Sequence, residues 1–157
     1  MRIALGADHR GHAAAEQTLK RLRQAGHEVD PLSELSGTPC DYPVPAWRVG
    51  RAVADGRADR GLLICGTGIG MCIAANKVRG VRAALAHDEL TAEIARTHND
   101  ANVLCLSADL LGQRLIDQIV DTFLGAQFLD AHGPHGAGRH ARRIEMIRAI
   151  EDGREPA

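Results

Sequence analysis

A chain of 157 residues that is 45% apolar and 25% charged has the size and balance of one globular domain able to bury a real core. Its formal net charge of −1 disfavours a nucleic-acid polyanion as partner. It contains no run of about 18 apolar residues that would span a membrane.

Short apolar runs alternate with helical patterns along the chain. Residues 3–6 read as a strand, followed by a helix reaching about residue 24 and stopped by Gly26. Val29 sits in a short second strand. Pro43 opens the next helix at its first turn, where a missing N–H costs nothing, and Gly56 closes it. Residues 61–65 form a third, buried strand, and a glycine-rich loop leads into a helix over 71–76. Residues 81–85 and 103–106 supply two more strands, separated by a helix from Glu89 to about Thr97. Leu111, Leu115, Ile116, Ile119, Val120 and Phe123 recur at helical spacing up to Gly125.

This alternation predicts a single α/β domain over 1–157, a Rossmann-like three-layer sandwich. Its five parallel strands carry helices on both faces. With one Trp, one Tyr and two Phe, the core has to be Ala, Leu, Ile and Val, which suits helices lying close on a sheet. Residues 130–138 break the pattern with a flexible inserted loop, and 139–151 form a last helix striped by Ile144, Ile147 and Ile150. A helix beyond a complete sheet, reached through a glycine-rich linker, is expected to pack on a partner subunit.

Ligands of such sheets bind outside the carboxyl ends of the strands. That rule selects Asp8 and His9, Asp41, residues 65–70, His87 and residues 107–109. In the loop Cys65-Gly66-Thr67-Gly68-Ile69-Gly70, glycine at alternate positions permits a tight turn that points N–H groups at an anion. The pattern is neither a full dinucleotide fingerprint nor a P-loop. Cys65, at a strand end beside a helix N-terminus, is placed for a thiolate acting as base or nucleophile, or for a small buried hydrophobe. His98 falls on the helix face of Leu90 and Ile94, which directs it to the strand-end rim. Cys40, Cys65, Cys72 and Cys105 show neither CxxC spacing nor disulfide-scaffold density. The first residues have no signal-peptide anatomy, and the expected compartment is a reducing cytoplasm.

Taken together, Asp8-His9, Asp41-Tyr42-Pro43, residues 65–70, Ala74-Ala75-Asn76-Lys77, His98-Asn99-Asp100-Ala101-Asn102-Val103 and Gly138-Arg139-His140 with Arg143 carry a likeness. The chain resembles ribose-5-phosphate isomerase B and its galactose-6-phosphate isomerase relatives from residue 2 to about residue 150. The resemblance implies an aldose–ketose isomerase of a sugar phosphate, by default ribose 5-phosphate, working through a cis-enediolate without cofactor or metal. It implies Cys65 as the base that moves a proton between C1 and C2; Met71 stands where a cysteine-lacking subtype has Glu. Thr67 and the N–H groups of Gly66, Gly68, Ile69 and Gly70 would hold the enediolate oxygens. His98 would open the sugar ring, Asn99 would bind hydroxyls, Asp8 would bind a hydroxyl or assist ring opening, and Asp41 would orient or assist the thiol. His9, Arg139 and Arg143 would hold the phosphate, in a site shared between subunits of a homodimer or tetramer. Relatives commonly have Arg where this chain has Asp109, so Asp109 either turns away or marks another substrate, a tetrose or hexose phosphate. His132, His135 and His140 lie in a glycine setting without paired carboxylates, which argues against a metal. Two readings from other classes stay open: a nucleotide-binding module, on the glycine loop, and a thiol-redox protein, on Cys65.

Overall fold

The computed structural model describes residues 1–129 and 138–156. The inserted stretch with His132 and His135 therefore lies almost wholly outside the described residues. Elements follow in the order β1 (Arg2–Ala7), α1 (His12–Gln24), β2 (Glu28–Pro31), α2 (Pro43–Ala54), β3 (Arg60–Cys65), α3 (Ile69–Ala75), β4 (Ala83–Leu85), α4 (Glu89–Asn99), β5 (Val103–Ser107), α5 (Gln113–Gly125) and α6 (Arg139–Glu151). Every sequence-predicted element is present. The largest shifts are the start of β4, at Ala83, and the start of α3, which begins inside the glycine loop at Ile69. No described helix is long and apolar enough to cross a membrane.

The five strands form one parallel sheet in the order β2-β1-β3-β5-β4. Side chains alternate across it, as the pleat requires. Leu62 and Ile64 of β3 face a core shared with Leu22, Ile116, Ile119 and Phe123. Leu63 and Cys65 face the other, with Ala46, Val49, Met71 and Ala75. Helices α1, α4 and α5 cover the first face, and α2 and α3 the second. Full burial of side chains such as Phe123 and Ile119 contributes roughly 1.5–3 kcal/mol each. Strand order reverses between β1 and β3, which opens a crevice at their carboxyl ends.

The crossover geometry corrects one expectation. Each helix returns antiparallel to the strands, so α4 leaves the carboxyl edge after β4 and ends beside the start of β5. His98 and Asn99, in its last turn, therefore stand at the amino edge of the sheet and not at the strand-end rim. Spacing had identified the helix face correctly, but a face does not say at which end of the sheet a residue lies. The C-terminus of α4 is held firmly. Asp100 adopts φ 45° and accepts from Arg96 at 2.8 Å and from Arg82 at 2.7 Å. Arg96, only 3% exposed, also donates to the carbonyl of Ala101 at 2.6 Å.

Helix α6 packs on α4 of its own chain, burying Ile144 and Ala149. Ile147 and Ile150 of the expected stripe remain exposed, as do Leu90 and Ile94 of α4.

Candidate functional site

The switch-point crevice gathers residues from three strand ends. After β1, Asp8 is 6% exposed, and its Oδ1 accepts from the N–H groups of Arg10 and Gly11, both at 2.9 Å. This carboxylate thereby fixes the turn that leads into α1, whose N-cap is Gly11. His9 is exposed on the same turn, and its carbonyl accepts from His12 Nδ1 at 2.9 Å.

Cys65 closes β3 at 4% exposure, and the N–H of Gly68 donates to its Sγ at 3.1 Å. The loop thus turns a backbone donor onto the sulfur. Gly68 adopts φ 76°, and a Cβ there would stand 2.5 Å from Leu85 Cδ1 and 3.1 Å from the Leu106 backbone. Only glycine fits that turn. Thr67 is exposed, and its Oγ1 accepts from the N–H of Ile69 at 3.3 Å. The N–H groups of Thr67 and Gly70 make no hydrogen bond among the described residues and remain free to bind an anion. Asp41 sits at the mouth before α2; its carbonyl accepts from Val44 at 3.1 Å, while no hydrogen bond joins its carboxylate to Cys65.

Four residues to which sequence reasoning gave no role shape this site; of them only Ser107 stood among the strand-end positions it selected. Tyr42 lies over Gly70, where a Cβ would come within 2.7 Å of its ring. Ser107, fully buried, donates through Oγ to the carbonyl of Gly66 at 2.6 Å, and the N–H of Asp109 donates to the same carbonyl at 3.1 Å. Gly11 lies so close to β3 that a Cβ would stand 2.0 Å from the carbonyl oxygen of Ile64. Arg10 pairs with Asp109 at 2.7 Å, so the unexpected acid at 109 is matched by a cation. Tyr42, as the one tyrosine beside Asp41, could have been flagged from sequence; the other three contacts depend on strand neighbours far apart in the chain.

A second cluster forms at the amino edge. The His98 and His140 rings stack at 4.5 Å, and Arg139 Nε donates to His140 Nε2 at 3.1 Å. Arg139 and Arg143 are exposed in the first turns of α6, four residues apart, and neither has a carboxylate partner among the described residues. Two guanidiniums so arranged suit a phosphate dianion. Asn99, next to His98 in sequence, is exposed and lines a cleft of about 680 Å³ with Arg82, Ala83, Ile147, Ile150 and Glu151. Cys65 does not line it. One chain thus carries Asp8, His9, Cys65 and Thr67 at one edge of the sheet, and His98, Asn99, Arg139 and Arg143 at the other.

The remaining thiols behave differently from Cys65. A hydrogen bond from Cys105 outweighs partial burial and brings the Cys72 thiol down to about 7, while full burial pushes Cys105 up. Alkylation of Cys72 by iodoacetamide, followed by peptide mass mapping, is expected to accelerate around pH 7, with Cys105 unmodified until the protein unfolds. A midpoint at the free-thiol value of about 8.5 would contradict this.

Comparison with known proteins agrees with this architecture. The ribose/galactose isomerase family model matches residues 3–147. The chain belongs to that family. Ribose-5-phosphate isomerase B of Escherichia coli is 42% identical over 153 residues, covering 98% of both chains. D-erythrulose-4-phosphate isomerase of Pectobacterium atrosepticum is 41% identical, over 92% of this chain and 91% of that one. The structure of ribose-5-phosphate isomerase B from Clostridium thermocellum superposes with a TM-score of 0.91 at 40% identity, covering 98% of this chain and 99% of that one. As a member of the ribose/galactose isomerase family, the chain is an aldose–ketose isomerase.

Proposed function

We propose that this isomerase interconverts ribose 5-phosphate and ribulose 5-phosphate in a site completed by a second copy of the chain. The observation that carries the reading is the separation of the two clusters. The 11-residue helix α4 alone spans roughly 16 Å, so His98 of one chain does not reach Cys65 of the same chain. In an isologous two-fold dimer each edge meets the other edge of its partner, which makes two whole sites from four halves. Exposed Leu90, Ile94, Ile147 and Ile150 on α4 and α6 support such an interface.

In that site His98 and Asn99 of one copy receive the sugar ring above the loop of the other, where His98 moves the proton that opens it. Cys65, as thiolate, takes the proton from C2 of the open aldose. The free N–H groups of the loop, with Thr67, hold the enediolate oxygens as charge develops. Cys65 then returns the proton to C1 while the hydroxyl proton passes from O2 to O1, leaving the ketose. Asp8 binds a hydroxyl through the oxygen not engaged by the α1 turn. Asp41 stands at the mouth near the thiol loop, and its assisting role rests on the family resemblance alone. Arg139, Arg143 and His9 hold the phosphate. Four free cysteines support a reducing compartment, the cytoplasm.

A mixing experiment tests the shared site. Cys65→Ala and His98→Ala chains, each inactive alone, are co-expressed with different tags and the hybrid dimer is purified. One site of the hybrid carries both lesions and the other neither, so about half of the wild-type dimer activity is expected. An inactive hybrid would sink the shared-site reading. A four-carbon substrate is a second reading, favoured by the 41% identical erythrulose-phosphate isomerase. Values of kcat/KM for four-, five- and six-carbon aldose phosphates decide between them.

A further inference from the structure

We propose that Arg10, oriented by Asp109, is a specificity-determining residue that presents a guanidinium to the phosphate of the sugar. The proposal rests on the isomerase reading above.

Arg10 follows Asp8 and His9 directly, and the Asp8 carboxylate fixes its backbone by accepting its N–H at 2.9 Å. Its side chain crosses from the end of β1 to the end of β5, where Nε and Nη2 donate to the single oxygen Asp109 Oδ2 at 3.0 and 2.7 Å. The pair lies directly on Gly66, where a Cβ would come within 2.8 Å of both Arg10 Nε and Asp109 Oδ2. Gly66 follows Cys65, so this guanidinium is held at a fixed distance from the thiol.

Both partners are anchored at the backbone. Asp109 donates its N–H to the Gly66 carbonyl, which buried Ser107 also holds. Exposed ion pairs usually stabilise little, because ordering two long side chains costs as much as the attraction returns. With side chains 58% and 35% exposed, this pair has little to offer stability. It orders a cation instead. One oxygen of Asp109 takes two of the five guanidinium hydrogens, and Nη1 is left over for a ligand.

Charge decides what that ligand is. In the turns 8–11, 66–68 and 108–112, Asp8 and Asp109 are acidic, and Arg10 is the one permanent cation. Without Arg10, this chain's own turns would offer the sugar-phosphate dianion two carboxylates and a histidine, leaving its charge to Arg139 and Arg143 of the other copy. A cation at a set distance from Cys65 also discriminates between sugars, because chain length fixes how far the phosphate lies from C1 and C2.

The test measures kcat and KM for wild type, Arg10→Ala, Arg10→Lys, Asp109→Ala and Cys65→Ala with four-, five- and six-carbon aldose phosphates and the corresponding free sugars. Arg10→Ala is expected to lower kcat/KM for its best phosphorylated substrate by about 10- to 100-fold, mostly through KM, as for loss of a charged hydrogen bond. The effect should shrink on free sugars, and preference among chain lengths should flatten. Arg10→Lys should restore part of it, Asp109→Ala should show a smaller loss, and melting temperatures should stay near wild type. The proposal is overturned if Arg10→Ala matches wild type on every phosphorylated sugar while Cys65→Ala is inactive. It is equally overturned if Arg10→Ala lowers kcat alike on phosphorylated and free sugars, which would assign Arg10 to the enediolate. A wild-type protein that turns over no sugar phosphate in the panel, or a Cys65→Ala chain with full activity, defeats the isomerase reading and Cys65's role instead.

Discussion

Cys65→Ala is expected to lower kcat by about 10²- to 10⁴-fold, the usual contribution of one positioned acid–base group. The residue ends β3 at 4% exposure, at the crevice where the strand order reverses, and receives the Gly68 N–H on its sulfur at 3.1 Å. The side chains packed nearest it are not placed to replace it. Met71 has no titratable group, Cys105 is fully buried and held as a thiol, and Cys72 points its sulfur to the Ala83 carbonyl at 3.4 Å. Removing a sulfur from a buried position leaves only a small void, so folding should survive. The decisive measurement is wash-in of deuterium at C2 of the aldose in deuterated water, which reports the proton transfer alone. If the variant exchanged at a tenth of the wild-type rate or better, Cys65 would not be the base.

Gly11→Ala is expected to produce the largest loss of stability among single-methyl changes, at or above the upper end of the roughly 1–3 kcal/mol typical of overpacking. The added Cβ would stand 2.0 Å from the Ile64 oxygen, 2.5 Å from its carbonyl carbon and 3.0 Å from the Cys65 nitrogen. These are backbone atoms of a central strand paired on both sides, so no rotamer change relieves the clash. Either α1 lifts from the sheet or the end of β3 shifts and carries Cys65 with it. Urea unfolding should show the loss, and the surviving folded fraction should have reduced kcat. Gly112→Ala is the control: φ there is −73° and no atom lies near the added Cβ, so a change within about 0.5 kcal/mol is expected. Equal stabilities for the two variants would contradict the packing argument.

Much of this molecule is legible along the chain. Pro43 and Gly56 bracket α2 because proline fits only the first turn of a helix and glycine readily leaves the last. Residues 61–65 are apolar on both faces of the sheet, which marked β3 as central, and the alternation of such runs with helical stripes left a parallel sheet as the one economical arrangement. The loop at residues 65–70 stood out because three glycines, a cysteine and a helix start are all local features. By contrast, the Arg10–Asp109 pair joins residues 99 positions apart, and its existence depends on β1, β3 and β5 being neighbours. Sequence could point to the acid at 109 but not to its partner.

The opposite placement of Cys65 and His98 marks the same boundary. Local patterning determined which residues carry the side-chain chemistry a proton transfer needs, which helix face each occupies and which family the chain resembles, because these follow from residue type and short-range periodicity. Only the tertiary structure decided that the thiol loop and the His98–Arg139 cluster lie at opposite edges of one sheet. A crossover helix must travel back along the strands before the next one begins, so its two ends belong to two different edges.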